Sequence, residues 1–222
     1  MYHAHIFHFY QLKKNTYHPF VYEIRTTILR PVEVAGIGLH SGQQVNLRIL
    51  PARSGSGIRF VRVDLENFEI PADWRHVAKV SYATSLMRKG VLLSTTEHLL
   101  SAIYASGVDN VRIEIDNLEV PILDGSALPF VALLRTAGRK QLRRHRRYLK
   151  ILQPVKLVVD EKQIRIDPAD EFRVTCRTDY GHRLAGPDEV AMTITPQSMS
   201  ALSLPHEPSV LRQISLLCEI WD

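Results

Sequence analysis

The feature that most constrains the fold of this chain is a set of short runs in which apolar and polar residues alternate. Residues 44–50 and residues 110–116 both place every second side chain on one apolar face. This period of two is typical of strands that bury one face of a sheet. Residues 58–63 alternate too and follow a glycine-serine turn at 54–57, so we expect them to form a hairpin with the 44–50 strand.

Two segments have helical character. Residues 99–104 combine apolar side chains at spacings of three and four, and Gly107 follows where a C-terminal glycine cap belongs. A second helix is predicted around residues 130–134, with Ser126 as its N-cap. Strands, a helix, a strand and a second helix indicate an α+β domain, with helices on one face of a mostly antiparallel sheet.

The strand pattern restarts after residue 148 and continues to residue 195. We therefore predict an α+β fold of two similar domains, each a mostly antiparallel sheet with helices on one face. Residues 25–147 form the first domain, and residues 148–222 form an incomplete second domain. Residues 1–24 are rich in histidine and aromatic residues and lack the cleavage site of a signal peptide. We expect a disordered leader there, with metal binding by its histidines as the alternative.

Composition narrows the class of protein. With 45% hydrophobic and 23% charged residues, the chain is typical of soluble globular proteins. Cys176 and Cys218 lie far apart and form no metal-ligand spacing, which is consistent with a reducing compartment. No run approaches the length of about 18 apolar residues that a transmembrane helix needs. We expect a cytoplasmic protein without a transmembrane segment, and a monomer.

Positive charge is concentrated in residues 139–150, where seven side chains are Lys or Arg, while the whole chain has a formal net charge of +5. One interpretation is a non-catalytic module that uses this run as a nucleic-acid or phosphate patch. Tyr148 is its single aromatic residue, so base stacking is poorly served. We favour a solvated linker that ends the second helix and separates the domains, and we expect no nucleic-acid partner.

The segment Ser-Thr-Thr-Glu-His-Leu-Leu-Ser-Ala at residues 94–102 places a carboxylate beside an imidazole at a helix start. Adjacent helical residues point about 100° apart, so Glu97 and His98 can share one pocket. His98 is then a candidate metal ligand and Glu97 a candidate base for a metal-activated water. From spacing alone, a capping box formed by Ser94 and Glu97 is the stronger interpretation, because a catalytic zinc needs three protein ligands.

Two further residues are candidates for a site. His40 lies in a glycine-flanked loop, where the backbone can approach a ligand closely. Asp124 begins an Asp-Gly turn, where its carboxylate commonly bonds its own backbone. Each of them could equally be an ordinary turn residue. Their positions in the sequence do not distinguish a role in a site from a role in a turn.

Four segments carry a resemblance to a known family. They are Gly-Ile-Gly-Leu-His-Ser-Gly at 36–42, the segment 94–102, Gly-Val-Asp-Asn at 107–110 and Pro-Ile-Leu-Asp-Gly-Ser at 121–126. In this order and spacing they closely resemble the UDP-3-O-acyl-N-acetylglucosamine deacetylases, zinc enzymes of lipid A biosynthesis. The resemblance extends from residue 25 to about residue 195.

The resemblance implies two domains of similar fold that sandwich an active site. It implies a zinc ion, Zn²⁺, and removal of an acetyl group from a UDP-linked, acylated glucosamine. His98 is implied to be a zinc ligand, and Glu97 the general base that acts on the zinc-activated water. His40 and Asp124 are implied to line the substrate site or to support the ligands. Zinc would polarise the amide carbonyl and lower the pKa of its water.

The chain departs from the family pattern towards its C-terminal end. The family's remaining zinc ligands form a His-Lys-x-x-Asp motif and a general-acid histidine follows, and neither occurs in this sequence. We therefore expect weak zinc binding and little or no activity. A shift of one nucleotide in codons for residues 206–210 permits Arg-Thr-Phe-Gly, which the family has at this point. The hypothesis is a truncation or a frameshift near Met199, with residues from about 200 out of frame, and the coding DNA tests it.

Overall fold

The computed structural model describes residues 23–78, 83–160, 162–178 and 188–195. The strands are β1 (Ile24–Ile28), β2 (Val32–Ile37), β3 (Gln44–Pro51), β4 (Ile58–Arg62), β5 (Phe68–Pro71), β6 (Leu86–Arg88), β7 (Val91–Leu93), β8 (Val111–Ile115), β9 (Arg139–His145), β10 (Val155–Val159), β11 (Lys162–Ile166), β12 (Arg173–Thr178) and β13 (Asp188–Thr193). The helices are α1 (Glu97–Ala105) and α2 (Leu128–Ala137), with a short 3₁₀ turn at Trp74–His76. This combination confirms the predicted α+β class.

Five strands form the central sheet, in the order β2-β3-β8-β4-β5. Neighbouring strands are antiparallel except for β4 and β8, which are parallel. The alternation places Val45, Leu47 and Ile49 of β3 on the buried face, and Ile113 and Ile115 of β8 join them. The residues between them are polar and reach water, so one face of the sheet carries the core.

The predicted hairpin between β3 and β4 is wrong, because β8 lies between them and pairs with both. Residues 52–57 therefore have to span two strand spacings, about 10 Å. Asn110, at the start of β8, holds this connection in place. Its Oδ1 accepts hydrogen bonds from the amides of Gly55 (2.9 Å) and Gly57 (3.0 Å), and its Nδ2 donates to Thr26 O (3.1 Å). A buried asparagine thus stabilises a strand order that periodicity does not predict.

Both helices pack on the buried face of the sheet. The apolar side of α1 contributes Leu99, Ala102 and Ile103, and α2 contributes Phe130 and Leu134, all to one core. Because the two helices also contact each other, the start of α1 is held against a rigid sheet and a second helix. This packing determines where the residues at the helix start are placed.

The helix ends agree with local sequence, with one correction. Gly107 has a φ of +63° and donates its N–H to Tyr104 O at 2.9 Å, so the predicted C-terminal glycine cap is confirmed. α2 begins at Leu128 with Ala127 at the N-cap, so Ser126 lies one residue before the position predicted for it. Its hydroxyl nevertheless accepts a hydrogen bond from the Leu128 amide at 3.2 Å.

The basic run is neither a helix end nor, in its first half, a linker. Residues Arg139–His145 form β9, which pairs antiparallel with β1. The backbone of β1 supplies the hydrogen bonds of this strand, while its charged side chains stay exposed to water. The predicted solvation of the charges is therefore confirmed, whereas the prediction of a linker is wrong for β9. Arg146, just beyond it, bonds Asp109 at 2.7 Å.

The chain after residue 150 forms two hairpins of different burial. Both strands of the β10–β11 hairpin are exposed along their whole length. The β12–β13 hairpin contains the buried side chain of Cys176. Near it, the ring of Phe172 meets Tyr104 edge-on with 6.2 Å between centroids, and Ile194 packs on the core. The domain boundary at residues 147 and 148, and the likeness of the second domain to the first, stay predictions.

Several predictions concern residues outside the described part of the chain. They are the leader up to residue 22 and the tail from residue 196, which includes the frameshift hypothesis. Ile24 already pairs with His145 as the first residue of β1. Within the described ranges, neither helix is long and apolar enough to cross a membrane.

Candidate active site at the start of α1

Glu97 is the first residue of α1, and its side chain is buried, with 3% exposed. Its Oε2 accepts a hydrogen bond from the Thr84 amide at 3.0 Å, outside the helix. The predicted capping box would need Glu97 to bond the Ser94 amide, but that amide donates to Leu118 O at 2.8 Å. The capping interpretation is therefore wrong, and a buried carboxylate remains that the helix start does not use as a cap.

His98 follows Glu97 and is half-buried. Burial lowers the pKa of its imidazole, while the nearby Asp124 carboxylate acts in the opposite direction. A lowered pKa keeps the ring neutral at physiological pH, and a neutral ring has the lone pair that a metal ligand needs. The structure therefore brings His98 and Asp124, which are far apart in sequence, within electrostatic reach of each other.

Asp124 also performs the turn role that its sequence predicts. Its Oδ1 accepts hydrogen bonds from the Ser126 amide (2.9 Å) and the Ser126 hydroxyl (2.8 Å). These bonds hold the carboxylate just before α2. From there its negative charge raises the pKa of His98 and so opposes the effect of burial. The turn role and the site role are compatible, because one carboxylate accepts several hydrogen bonds.

His40 is exposed in the loop between β2 and β3. Its backbone amide donates a hydrogen bond to Glu119 Oε1 at 3.0 Å. The Ser41 amide donates to Glu119 Oε2 at 2.8 Å. A Cβ on Gly38 would lie 2.5 Å from Glu119 Oε2, so this loop needs a glycine for a steric reason.

Glu119 is the residue of this region that the sequence did not reveal. It is fully buried, with 0% of its surface exposed. Burial alone would raise the pKa of its carboxyl group, but hydrogen bonds from His40, Ser41 and Thr95 together lower it. The signal available in the sequence is an acid between the apolar residues Leu118 and Val120, two residues before the Pro121 segment.

The described ranges do not bring together a full set of zinc ligands, since no three side chains of His, Cys, Asp or Glu converge there as metal ligands. His98 by itself fits one ligand position, because its ring is held neutral and partly away from water. The buried carboxylate of Glu97 is adjacent to it in the helix. The arrangement thus offers one imidazole ligand and one carboxylate suited to proton transfer.

The sequence matches a known protein family. The family described as UDP-3-O-acyl N-acetylglycosamine deacetylase matches residues 25–202. A UDP-3-O-acyl-N-acetylglucosamine deacetylase of Solibacter usitatus is 58% identical over 172 residues, which are 78% of this chain and 58% of that protein.

Proteins of the same name from two other bacteria are more distant. The one from Anaeromyxobacter dehalogenans is 44% identical over 71% of this chain and 51% of its own length. The one from Myxococcus xanthus is 43% identical over 70% of this chain and 50% of its own length. The chain thus spans between half and three-fifths of the curated relatives it matches. Since the family match covers most of the sequence, the chain belongs to the UDP-3-O-acyl-N-acetylglucosamine deacetylase family.

Proposed function

We propose that this chain takes part in the reaction for which its relatives are named, the deacetylation of UDP-3-O-acyl-N-acetylglucosamine. We further propose that the reaction depends on zinc and belongs to lipid A biosynthesis. The observation that carries this proposal is the buried carboxylate of Glu97 beside the half-buried, neutral imidazole of His98. Hydrolysis of an amide needs a base for the attacking water and an electrophile for the carbonyl oxygen, and this pair contributes to both.

Glu97 is the general base in this proposal. The hydrogen bond from the Thr84 amide fixes one carboxylate oxygen, and the N-terminus of α1 stabilises the negative charge. Glu97 accepts a proton from the water that attacks the acetyl carbonyl. A carboxylate that is buried and fixed is well placed for this step, because it needs no reorganisation when the reaction occurs.

His98 would hold the zinc ion at one position, through a neutral ring nitrogen. When bound, zinc supplies a Lewis acid that polarises the acetyl carbonyl. The charge of the Asp124 carboxylate acts on the imidazole, and the position of Asp124 is fixed by Ser126. His40, on an exposed loop, is proposed to contact the UDP-linked, acylated glucosamine.

The experiment is a measurement of acetate release from UDP-3-O-acyl-N-acetylglucosamine by the purified chain with added zinc. Glu97→Gln removes the base and keeps the shape, so we expect it to slow acetate release by about 100-fold or more. Glu114→Gln is the matched control: Glu114 lies on β8 and pairs with Arg112 at 3.1 Å, away from the site. We expect slow acetate release by wild type, since the described ranges supply one imidazole ligand instead of a full zinc set. Equal rates for wild type and Glu97→Gln, or no release by wild type even with excess zinc, would overturn the proposal.

A further inference from the structure

Glu119 joins two parts of the site that are distant in sequence. On one side its carboxylate accepts the amides of His40 and Ser41, and on the other it accepts the Thr95 hydroxyl at 2.9 Å. Thr95 lies two residues before Glu97. We propose that Glu119 is a positioning residue, which fixes the His40 loop relative to Glu97 and His98. This inference rests on the proposed function for the roles of those three residues.

The backbone beside Glu119 is tied to the same segment. The Ser94 amide donates to Leu118 O at 2.8 Å, and the Val120 amide donates to Ser94 O at 3.0 Å. Ser94 and Glu119 therefore pair as neighbours in a short parallel bridge. With its backbone held on both sides, the Glu119 side chain has a defined direction from which to reach Thr95 and the His40 loop.

Thr95 needs such a partner. Its φ is +58°, in the left-handed region that β-branched residues rarely adopt. The hydrogen bond from its hydroxyl to Glu119 compensates for this strained backbone. Since Thr95 leads directly into Thr96 and the first turn of α1, its conformation sets the direction in which the helix starts. Loss of the bond is expected to displace Glu97 and His98.

The groups around the Glu119 side chain are hydrogen-bond donors. They suit a charged carboxylate, which only accepts, and they do not suit the neutral amide of glutamine. Within the described part of the chain, no Lys or Arg forms an ion pair with Glu119, so backbone amides and the hydroxyls of Ser41 and Thr95 stabilise its charge. Both of its oxygens act as acceptors. A glutamine would present an NH₂ group to one of these N–H donors, which creates a buried donor-donor contact. The Glu119 carboxylate also lies so close to Gly38 that a Cβ there would be 2.5 Å from its Oε2, so the His40 loop packs directly against the carboxylate.

Glu119→Gln on the full chain tests the proposal, with Asn110→Ala as the matched control. Both residues are fully buried and bond two backbone amides, but Asn110 holds the connection between β3 and β4 instead of the site. The readouts are the NMR signals of the His40 amide and the His98 ring, and the kcat and KM of acetate release with zinc. A purely structural role would lower the melting temperature without moving the His98 signal.

We expect Glu119→Gln to shift both NMR signals, because Thr95 loses its partner two residues before Glu97. It should lower kcat about 10- to 100-fold, the range that loss of an indirect support of a metal site commonly gives. Asn110→Ala should lower the melting temperature and leave the His98 signal and kcat unchanged. If Glu119→Gln moves the His40 amide but not the His98 ring, the positioning role is overturned. If wild type releases no acetate while Glu119→Gln still shifts both signals, the proposed function fails and the positioning role stands.

Discussion

The central sheet and the β10–β11 hairpin are both rich in β-branched residues, yet the sheet buries one of its faces and the hairpin buries neither. In the sheet, Leu47 and Ile113 are 1% and 0% exposed. In the hairpin, Leu157 is 51% exposed, although it is as apolar as they are. The difference is that two helices cover the sheet. An apolar strand residue therefore stabilises the fold only where another element packs on it.

The comparison between the covered sheet and the exposed hairpin can be tested with one substitution in each. We expect the largest difference in the free energy of unfolding. Ile113→Ala on β8 removes methyl groups from a closely packed core and should destabilise the protein by about 2–5 kcal/mol. Leu157→Ala on β10 should change stability by less than about 0.5 kcal/mol, because about half of the residue already contacts water and no helix covers it. Urea unfolding followed by circular dichroism measures both. A comparable loss for the two variants would show that the hairpin is covered in solution.

A smaller loss is expected for a buried polar residue of the sheet. Asn110→Ala leaves the amides of Gly55 and Gly57 without their acceptor, which should cost about 1–3 kcal/mol. Asn117→Ala is the partly exposed counterpart, because the Asn117 side chain donates to Gln44 O at 3.3 Å and accepts from the Leu118 amide at 2.7 Å near the surface. It should cost less than about 0.5 kcal/mol by the same unfolding measurement. Equal losses of stability would contradict the conclusion that Asn110 holds the connection between β3 and β4.

The pH dependence of stability tests the buried carboxylate of Glu119. The pKa of Glu119 is lowered in the folded state from its usual value of 4.5, so the folded protein binds this proton less readily than the unfolded chain. Its contribution to stability is therefore complete above about pH 4.5 and is lost as the pH falls through the folded-state pKa.

Unfolding measurements between about pH 3 and pH 7 check this prediction. Wild type should lose more stability on acidification than Glu119→Gln, which has no proton to gain at this site. Identical profiles for wild type and Glu119→Gln would contradict the lowered pKa.

The smallest effect is expected on β9, the exposed basic strand. Arg143→Gln and Arg144→Gln together should change stability by less than about 0.5 kcal/mol, because exposed charges contribute little. The deacetylase proposal also predicts no RNA binding whose affinity falls steeply with salt. Electrophoretic mobility shifts at two salt concentrations test this. Salt-sensitive binding that disappears in the double variant would favour the nucleic-acid interpretation of residues 139–150.

Parts of the fold and the site could be predicted from local patterns. Alternation predicted β3 and β8, the 3- and 4-residue spacings predicted α1, and Gly107 predicted its end. These succeed because each depends on neighbouring residues only. The pairing of β3 failed, because strand order depends on Asn110, whose partners lie more than 50 residues away. The basic run likewise became a strand because β1 offered it backbone partners.

The sequence by itself determined the family, the α+β class and the adjacency of Glu97 and His98, since all of these are present in the order and spacing of residues. Only the tertiary structure decided that Glu97 bonds Thr84 instead of capping its helix. It also decided that the buried carboxylate of Glu119 joins the His40 loop to the segment before α1. The physical reason is that burial and hydrogen-bond partners arise from long-range packing, which local periodicity does not encode.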